Sequence, residues 1–276
     1  MTINCKGQLI DLTTPKVMGI LNVTPDSFYD GGQYKDKSSL LNQVETMLTE
    51  GATFIDVGGY SSRPGADFVS ETEELNRVIP VVQLILRHFP KTYISVDTFR
   101  SAVAKQSIEA GAALINDISA GQLDEHMINT IGQLGVPYIM MHMRGNPKTM
   151  KEQTDYEDLI KDLNLYFAQR IAEAHAAKIN DIIIDPGFGF AKTLDQNYQL
   201  LNQLELLGIV GKPILAGLSR KSMIYKTLGT TSANALNGTT ALHMIALEKG
   251  SKILRVHDVK EAMECIALYN RLNLLN

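Results

Sequence analysis

One unit recurs from end to end of the chain: a stretch with helical spacing of apolar residues, a glycine, and then a short apolar run. Leu40, Leu41, Val44, Met47 and Leu48 share a helical face, and Gly51 precedes Phe54-Ile55-Asp56-Val57. Gly111 precedes Ala113-Leu114-Ile115, Gly135 precedes Tyr138-Ile139-Met140-Met141, and Gly250 precedes Ile253-Leu254-Arg255-Val256. Glycine after a helix supplies the left-handed residue that ends it and starts a short helix-to-strand loop. Eight apolar runs follow this logic, at Val17-Leu21, Phe54-Val57, Tyr93-Val96, Leu114-Ile115, Tyr138-Met141, Ile182-Ile184, Ile214-Leu215 and Ile253-Val256. They are almost continuously apolar, as parallel strands covered on both faces are. Enough chain for a crossover helix separates each pair. The expected fold is α/β, a single (β/α)8 TIM barrel over residues 1–276, with a doubly wound open sheet as the alternative. Residues 1–16 precede the first run and carry a hairpin signal at Lys6-Gly7, read as a cap on the barrel bottom. A stripe from Leu75 to Leu86 opens with Ser70 and Glu73 in capping-box spacing and contains Pro80, which predicts a kink or break.

Composition narrows the functional classes. A chain of 276 residues with 45% hydrophobic and 20% charged residues is an ordinary globular one, not a disordered one. No window approaches the roughly 20 apolar residues of a membrane span, and no signal peptide is visible at the N-terminus. Two distant cysteines, Cys5 and Cys265, fit a reducing compartment, so a cytoplasmic location is expected. A net charge of −4 without a basic cluster argues against a nucleic-acid partner.

Nearly every apolar run ends in a polar residue: Asn22, Asp56, Asp97, Asn116-Asp117, His142, Asp185, Ser219-Arg220-Lys221, and Arg255 with His257. On a barrel these ends converge at the C-terminal mouth, where barrel enzymes keep their sites. Asp56 or Asp117 taken singly reads equally well as a loop cap. Asp97 and Asp185 offer paired acceptors that suit a flat heterocycle with adjacent N–H donors, such as the 2-amino-pyrimidinone edge of a pterin, and Asn116 can read the same ring. A glycosidase pair of acids would leave Arg63, Lys221 and Arg255 unexplained. Arg255 and His257 are two apart in an extended segment and make a clamp for phosphate or pyrophosphate. Ser219 reads as the cap of a helix whose free N–H groups bind anions. Asp185-Pro-Gly-Phe-Gly-Phe-Ala-Lys is not a Walker motif, because Ala191 stands before Lys192; its glycines let backbone approach a flat ligand that Phe188 or Phe190 could wall. Two connections, Asn22 to Lys37 and Gly58 to Ser70, exceed the roughly 2–6 residues usual for such loops and read as lids or binding loops. His88, His126, His175 and His243 lack partners at metal spacing, His142 lacks a His or Cys companion for zinc, and the methionines near 140 and 143 read as packing.

Taken in order, these stretches resemble the dihydropteroate synthases. Met18-Gly19-Ile20-Leu21-Asn22-Val23-Thr24-Pro25-Asp26-Ser27-Phe28 is similar to the first signature of that family, and Gly58-Gly59-Tyr60-Ser61-Ser62-Arg63-Pro64-Gly65 to the second. Ser95-Val96-Asp97-Thr98, Ile115-Asn116-Asp117, Asp185 to Phe190, Gly217 to Ser222 and Arg255 to Val259 resemble later motifs, so the likeness covers residues 15–276. Tyr60 stands where the family usually has Glu, Ser62 where it has Thr, and Ala191 where glycine is common. The resemblance implies condensation of 6-hydroxymethyl-7,8-dihydropterin pyrophosphate with p-aminobenzoate to 7,8-dihydropteroate and pyrophosphate, a step of folate biosynthesis. It implies that Asp97, Asn116, Met140, Asp185 and Lys221 hold the pterin. Ser62, Arg63, Arg255 and His257 would hold the pyrophosphate, with Asn22 a ligand to a bridging Mg2+. Phe28, Pro64, Phe190 and Ser222 would form the p-aminobenzoate site, where sulfonamides compete. Asn22, Arg63, Lys221, Arg255 and His257 would be the catalytic set. A homodimer through late helices is also implied, although the stripe Val259, Ala262, Met263 and Ile266 reads equally well as barrel packing. Alternatives are a pterin-binding methyltransferase on the same barrel, an inactive pterin binder, and an aldolase using Lys221 as a Schiff base.

Overall fold

A computed structural model of the protein describes residues 1–23, 34–60, 68–146 and 149–274. A two-stranded antiparallel hairpin comes first, β1 (Thr2–Cys5) and β2 (Gln8–Asp11). Lys6 and Gly7 turn it with φ of 54° and 79°, the paired positive values that match a two-residue turn to strand twist. Eight parallel strands follow: β3 (Lys16–Asn22), β4 (Phe54–Gly58), β5 (Tyr93–Asp97), β6 (Leu114–Asp117), β7 (Tyr138–Met141), β8 (Ile182–Asp185), β9 (Ile214–Ala216) and β10 (Ser251–Val256). They pair in sequence order and close, β10 lying between β9 and β3. All eight apolar runs are barrel strands, and the open-sheet alternative is excluded by that closure.

Helices α1 (Tyr34–Thr49), α2 (Glu71–His88), α3 (Ser101–Glu109), α4 (Met127–Leu134), α5 (Leu159–Ala176), α6 (Leu194–Asn202), α7 (Ser222–Thr227), α8 (Leu236–Glu248) and α9 (Val259–Asn273) lie between and after the strands. Strand residues alternate between them and the barrel interior. In β7, Tyr138 and Met140 join the apolar layer under the helices, whereas Ile139 joins the interior. The interior floor is apolar: Met18, Phe54, Leu114, Ile139, Ile183, Leu215 and Ile253 pack together. Ile3, Cys5 and Leu12 of the hairpin segment complete that cluster, so residues 1–16 do plug the barrel bottom. Hydrogen bonds from Asn4 N–H to Asp181 Oδ2 (3.1 Å) and from Lys6 Nζ to the Gly111 carbonyl (3.1 Å) tie the plug to neighbouring loops.

Two local expectations change. Helix α2 runs unbroken through Pro80. Pro80 is exposed, so the carbonyl it deprives of a donor lies on the side where water can replace it. Ser70 caps α2 by accepting from Glu73 N–H at 3.2 Å, but the Glu73 carboxylate pairs with Arg77 Nε at 2.8 Å instead of closing the box. The stripe of α9 is spent on the barrel: Val259, Ala262 and Ile266 are buried in the common core and Met263 packs against it. Among the described residues, no helix is long and apolar enough to cross a membrane.

Candidate active site

The polar layer begins two residues beyond the apolar floor on the same strands, which a period of two places on the same inward face. Phe54 is followed by Asp56, Leu114 by Asn116, Ile183 by Asp185 and Ile253 by Arg255. Arg255 is the hub. Its Nε donates to Asp56 Oδ2 at 2.6 Å and its Nη2 to Asp97 Oδ2 at 2.9 Å, while Asn116 Nδ2 donates to Asp56 Oδ2 at 3.1 Å. Asp56 is fully buried, and its Oδ1 has no hydrogen-bond partner among the described residues. Burial pushes Asp97 up to about 7, with the neighbouring Asp56 adding to it and Arg255 opposing. Burial works against the charge of Arg255, but the two carboxylates outweigh it and hold the guanidinium above its ordinary range. The sequence placed Arg255 at the pyrophosphate. The structure places it between two carboxylates, at the edge of a cavity of 790 Å3 also lined by Asn22, Asp97, Phe190, Lys221, Ser222 and His257.

Asp185 and Lys221 form the second half of the mouth. Asp185 is 6% exposed and accepts from the Gly187 N–H at 2.8 Å. Burial raises its carboxyl, opposed by Lys221 and by that N–H. Lys221 Nζ donates to the Phe188 carbonyl and stands 4.8 Å from the centre of the Phe190 ring. Burial lowers Lys221 to about 8 against the pull of Asp185. Both groups flank Gly217: a methyl there would lie 3.8 Å from Lys221 Nζ and 3.9 Å from Asp185 Oδ2. His257 is exposed in the cavity, its Nδ1 3.0 Å from Ser219 Oγ, and its N–H also donates to that oxygen. Ser219 is therefore not a helix cap. Helix α7 starts at Ser222 after Lys221, and no side chain caps it. Arg220 lies at the cavity and holds Asp258 with two bonds of 2.8 Å.

Two strand ends expected at the mouth point the other way. Asp117 accepts from Ser119 N–H and Oγ–H, Gly121 N–H and Tyr138 O–H, the loop-capping alternative. His142 packs edge-on against Tyr166 of α5 with ring centres 4.7 Å apart. Met140 also requires correction: its register partners are Asp117 and Ile184, and its side chain lies in the helix-facing core. The inward methionine of β7 is Met141, the register partner of Asp185. Since the period of two allows only one of them inside, Met141 takes the place assigned to Met140.

Phe28, Ser62, Arg63 and Pro64 lie outside the described residues, as do the middles of the two long connections. At the edge of the second connection, Tyr60 meets Phe99 edge-on at 5.3 Å, and the Arg100 guanidinium lies 5.4 Å from its ring centre. Arg100 already pairs with the fully buried Glu74 at 2.5 Å, so its charge is balanced without the family's usual Glu at position 60. Sequence reasoning left two residues out of the site. Asp56 was legible in the alternation after Phe54 but had a bland capping reading. Lys192 had no signal beyond the motif it was used to exclude. It is 8% exposed, and burial pushes it down to about 7.

Among the described residues, no group of three His, Cys, Asp or Glu side chains could hold a metal ion. Asn22 presents an exposed amide to the cavity, and a methyl on Gly58 would lie 3.9 Å from its Oδ1 and 3.7 Å from Asp97 Cβ. A neutral amide oxygen is a donor Mg2+ accepts when phosphate oxygens and water complete its shell, so this residue fits an ion that arrives with an anionic ligand.

Residues 18–257 match the pterin binding enzyme family. The dihydropteroate synthase of Escherichia coli (strain K12) is 44% identical over 268 residues, 96% of this chain and 94% of that one. The chain belongs to the dihydropteroate synthases. A crystal structure of the Yersinia pestis dihydropteroate synthase with a sulfonamide drug complex superposes with a TM-score of 0.92 at 44% identity, covering 99% of this chain and 100% of that one. The Xanthomonas albilineans dihydropteroate synthase with 4-aminobenzoic acid does so with a TM-score of 0.90 at 37% identity, covering 99% and 98%. The barrel and its N-terminal hairpin are thus the family's frame.

Proposed function

We propose that this mouth condenses 6-hydroxymethyl-7,8-dihydropterin pyrophosphate with p-aminobenzoate, releasing pyrophosphate and forming a C–N bond to give 7,8-dihydropteroate. The observation that carries the reading is the mouth itself: three acceptor side chains, Asp97, Asn116 and Asp185, and the cation Arg255 on strand ends of one closed barrel, with a second cation, Lys221, just before α7. Asp185 and Asn116 read the N–H and carbonyl edge of the pterin, with Asp97 and Lys221 completing its site and Met141 packing inside. Carboxylates accept two parallel bonds from such an edge, which gives orientation as well as affinity. Ser62, Arg63, Arg255 and His257 receive the pyrophosphate. Phe190 and Ser222, with Phe28 and Pro64, form the p-aminobenzoate side.

The chemistry is a dissociative displacement. The C–O bond breaks first, its electron pair leaving with pyrophosphate, and positive charge spreads from the methylene into the pterin ring. Arg255, Arg63 and His257 stabilise the departing anion, and Asp97 and Asp185 stabilise the ring cation. Mg2+ on Asn22 would supply further charge neutralisation of the pyrophosphate. The arylamine is neutral at pH 7 and attacks with its lone pair; the anilinium formed is acidic and gives its extra proton to water or to the released pyrophosphate, so no strong general base is required. Arg255 has two carboxylates as partners before any ligand is bound, and its charge is held for use rather than exposed to water. Two buried thiols, Cys5 and Cys265, support a cytoplasmic location. Exposed Leu268, Leu272 and Leu274 on and after α9 support a homodimer. A methyltransferase would have no use for the Arg255-His257 pair beside Lys221.

Electrophile trapping tests the order of bond events. With p-aminobenzoate absent, a thiol nucleophile should capture the dihydropterin methylene as pyrophosphate leaves. Capture that never occurs, with the substrate bound, would sink the dissociative scheme and favour direct displacement.

A further inference from the structure

The loop after β8 is held by two sets of side chains. In the first set, Asp185 Oδ1 takes the Gly187 N–H and Lys221 Nζ donates to the Phe188 carbonyl. In the second set, Lys192 Nζ lies 3.2 Å from the Gly187 carbonyl, 3.1 Å from the Phe190 carbonyl and 3.1 Å from His142 Nδ1. Asn197, 3% exposed, accepts from the Gly189 N–H at 2.6 Å and donates to the Thr193 carbonyl at 2.6 Å. An ammonium has three donors and no acceptor, so Lys192 makes a three-pronged staple and His142 Nδ1 serves as acceptor. Burial and the charge of Lys192 keep the His142 imidazole neutral, as that role requires. The fit is close: at Gly187, with φ of 71°, an added Cβ would meet the His142 carbonyl oxygen at 2.2 Å.

We infer that Lys192 and His142 are positioning residues for the arylamine half of the site, setting Phe190 through the Gly187 and Phe190 carbonyls. Burying an ammonium is costly unless its donors are satisfied, and here every partner belongs to the loop that carries Phe190 or to the strand end beside it. Phe190 is the group in question: its backbone carbonyl is a prong of the staple, and its ring meets the Lys221 ammonium on the opposite side. The pterin half has its own fixings in Asp185, Asn116 and the Arg255 cluster, so loosening the staple acts on one substrate more than the other. A shift of about 1 Å in a positioned group is enough to lose a large factor in rate.

The inference rests on the assignment of Phe190 to p-aminobenzoate, and three variants separate the two. Phe190→Ala tests the assignment, while Lys192→Met and Lys192→Gln test the staple. With Lys192→Met, KM for p-aminobenzoate should rise at least tenfold, while the calorimetric Kd for the pterin pyrophosphate stays within threefold. Lys192→Gln keeps an amide NH2 with two donors in place of three and should fall between wild type and Lys192→Met, which also covers a methionine variant that fails to fold. An unchanged KM in both lysine variants, alongside a raised KM in Phe190→Ala, overturns the staple alone. An unchanged KM in Phe190→Ala overturns the assignment and the inference with it. Equal loss of pterin affinity and arylamine KM also overturns it, because Lys192 would then hold the whole loop without discrimination.

Discussion

The barrel interior has two layers built from the same strands, one residue pair apart, and they differ in what they do. Phe54, Leu114, Ile183 and Ile253 make a dry floor closed below by Ile3, Cys5 and Leu12. Two positions further along, Asp56, Asn116, Asp185 and Arg255 make a layer in which every charge depends on another. Burying the floor stabilises the fold at roughly 25 cal/mol per Å2 of apolar surface and says nothing about chemistry. Burying the mouth costs stability, which the pairings only partly recover, and the cost is kept where a ligand uses the groups. Stability lives in the lower layer and function in the upper one.

The largest effect expected is at the hub of the upper layer. Arg255→Ala would leave Asp56 and Asp97 buried without their cation, at a cost of about 3–5 kcal/mol in urea unfolding. Turnover should fall by at least ~100-fold. A variant with near-normal stability would break the claim that these charges depend on one another. Next is Ile183→Ala, which opens a cavity in the floor and should cost about 2–5 kcal/mol while leaving kcat within about twofold, since nothing in that layer touches substrate. A large drop in kcat at unchanged KM would show that the two layers are not separable.

Asp97 sharpens the comparison through pH. Its folded pKa is raised, to about 7, above the ordinary 3.8 of an unfolded aspartate, mainly by burial. The stabilising contribution is therefore complete below the unfolded value and lost as pH rises through the folded one. Asp97→Asn should gain stability over wild type on going from pH 5 to pH 8, on the order of 1 kcal/mol or more by differential scanning calorimetry. Pterin affinity should behave oppositely: the wild type needs the anion and should bind less tightly as pH falls through about 7, a limb that Asp97→Asn removes. Parallel curves for the two proteins would refute both statements. The smallest effect expected is at a buried polar group that neither layer uses. His243 on α8 is 1% exposed, has no partner on either ring nitrogen among the described residues, and is lowered to about 4 by burial. His243→Leu should stabilise by about 1 kcal/mol at pH 7 and by more as pH falls from 6.5 toward 4, where the wild-type ring must charge or unfold. Loss of stability there would mean that the helices around it demand a polar group.

The two layers were also unequally legible in the sequence. Every barrel strand and the plugging hairpin could be read from apolar runs, terminal glycines and Lys6-Gly7, because each depends only on neighbours in the chain. The polar ends marked the mouth, but not which way each side chain turns. In β6, Asn116 and Asp117 are adjacent, and alternation sends only the first inward. In β7, a run of two methionines before His142 conceals the register, and Met140 was placed where Met141 is. The Arg255 hub joins residues 199 and 158 positions apart, and no local pattern contains such a pairing. Lys192 was invisible because two of its partners are backbone carbonyls of its own loop, which leave no mark in a sequence, and the third is a histidine 50 positions away. Pro80 misled in the other direction, since a proline on an exposed helix face leaves its orphaned carbonyl to solvent.

The central claim is that the polar layer, on its intact floor, is a working synthase site. The direct measurement follows pyrophosphate and dihydropteroate together from the dihydropterin pyrophosphate, with and without p-aminobenzoate and Mg2+. The account predicts sustained release of the two products in equal amounts when both additions are present, and loss of that turnover in Arg255→Ala. Tight pterin binding with no dihydropteroate formed would contradict it, and would leave the mouth a pterin-binding site without the transfer.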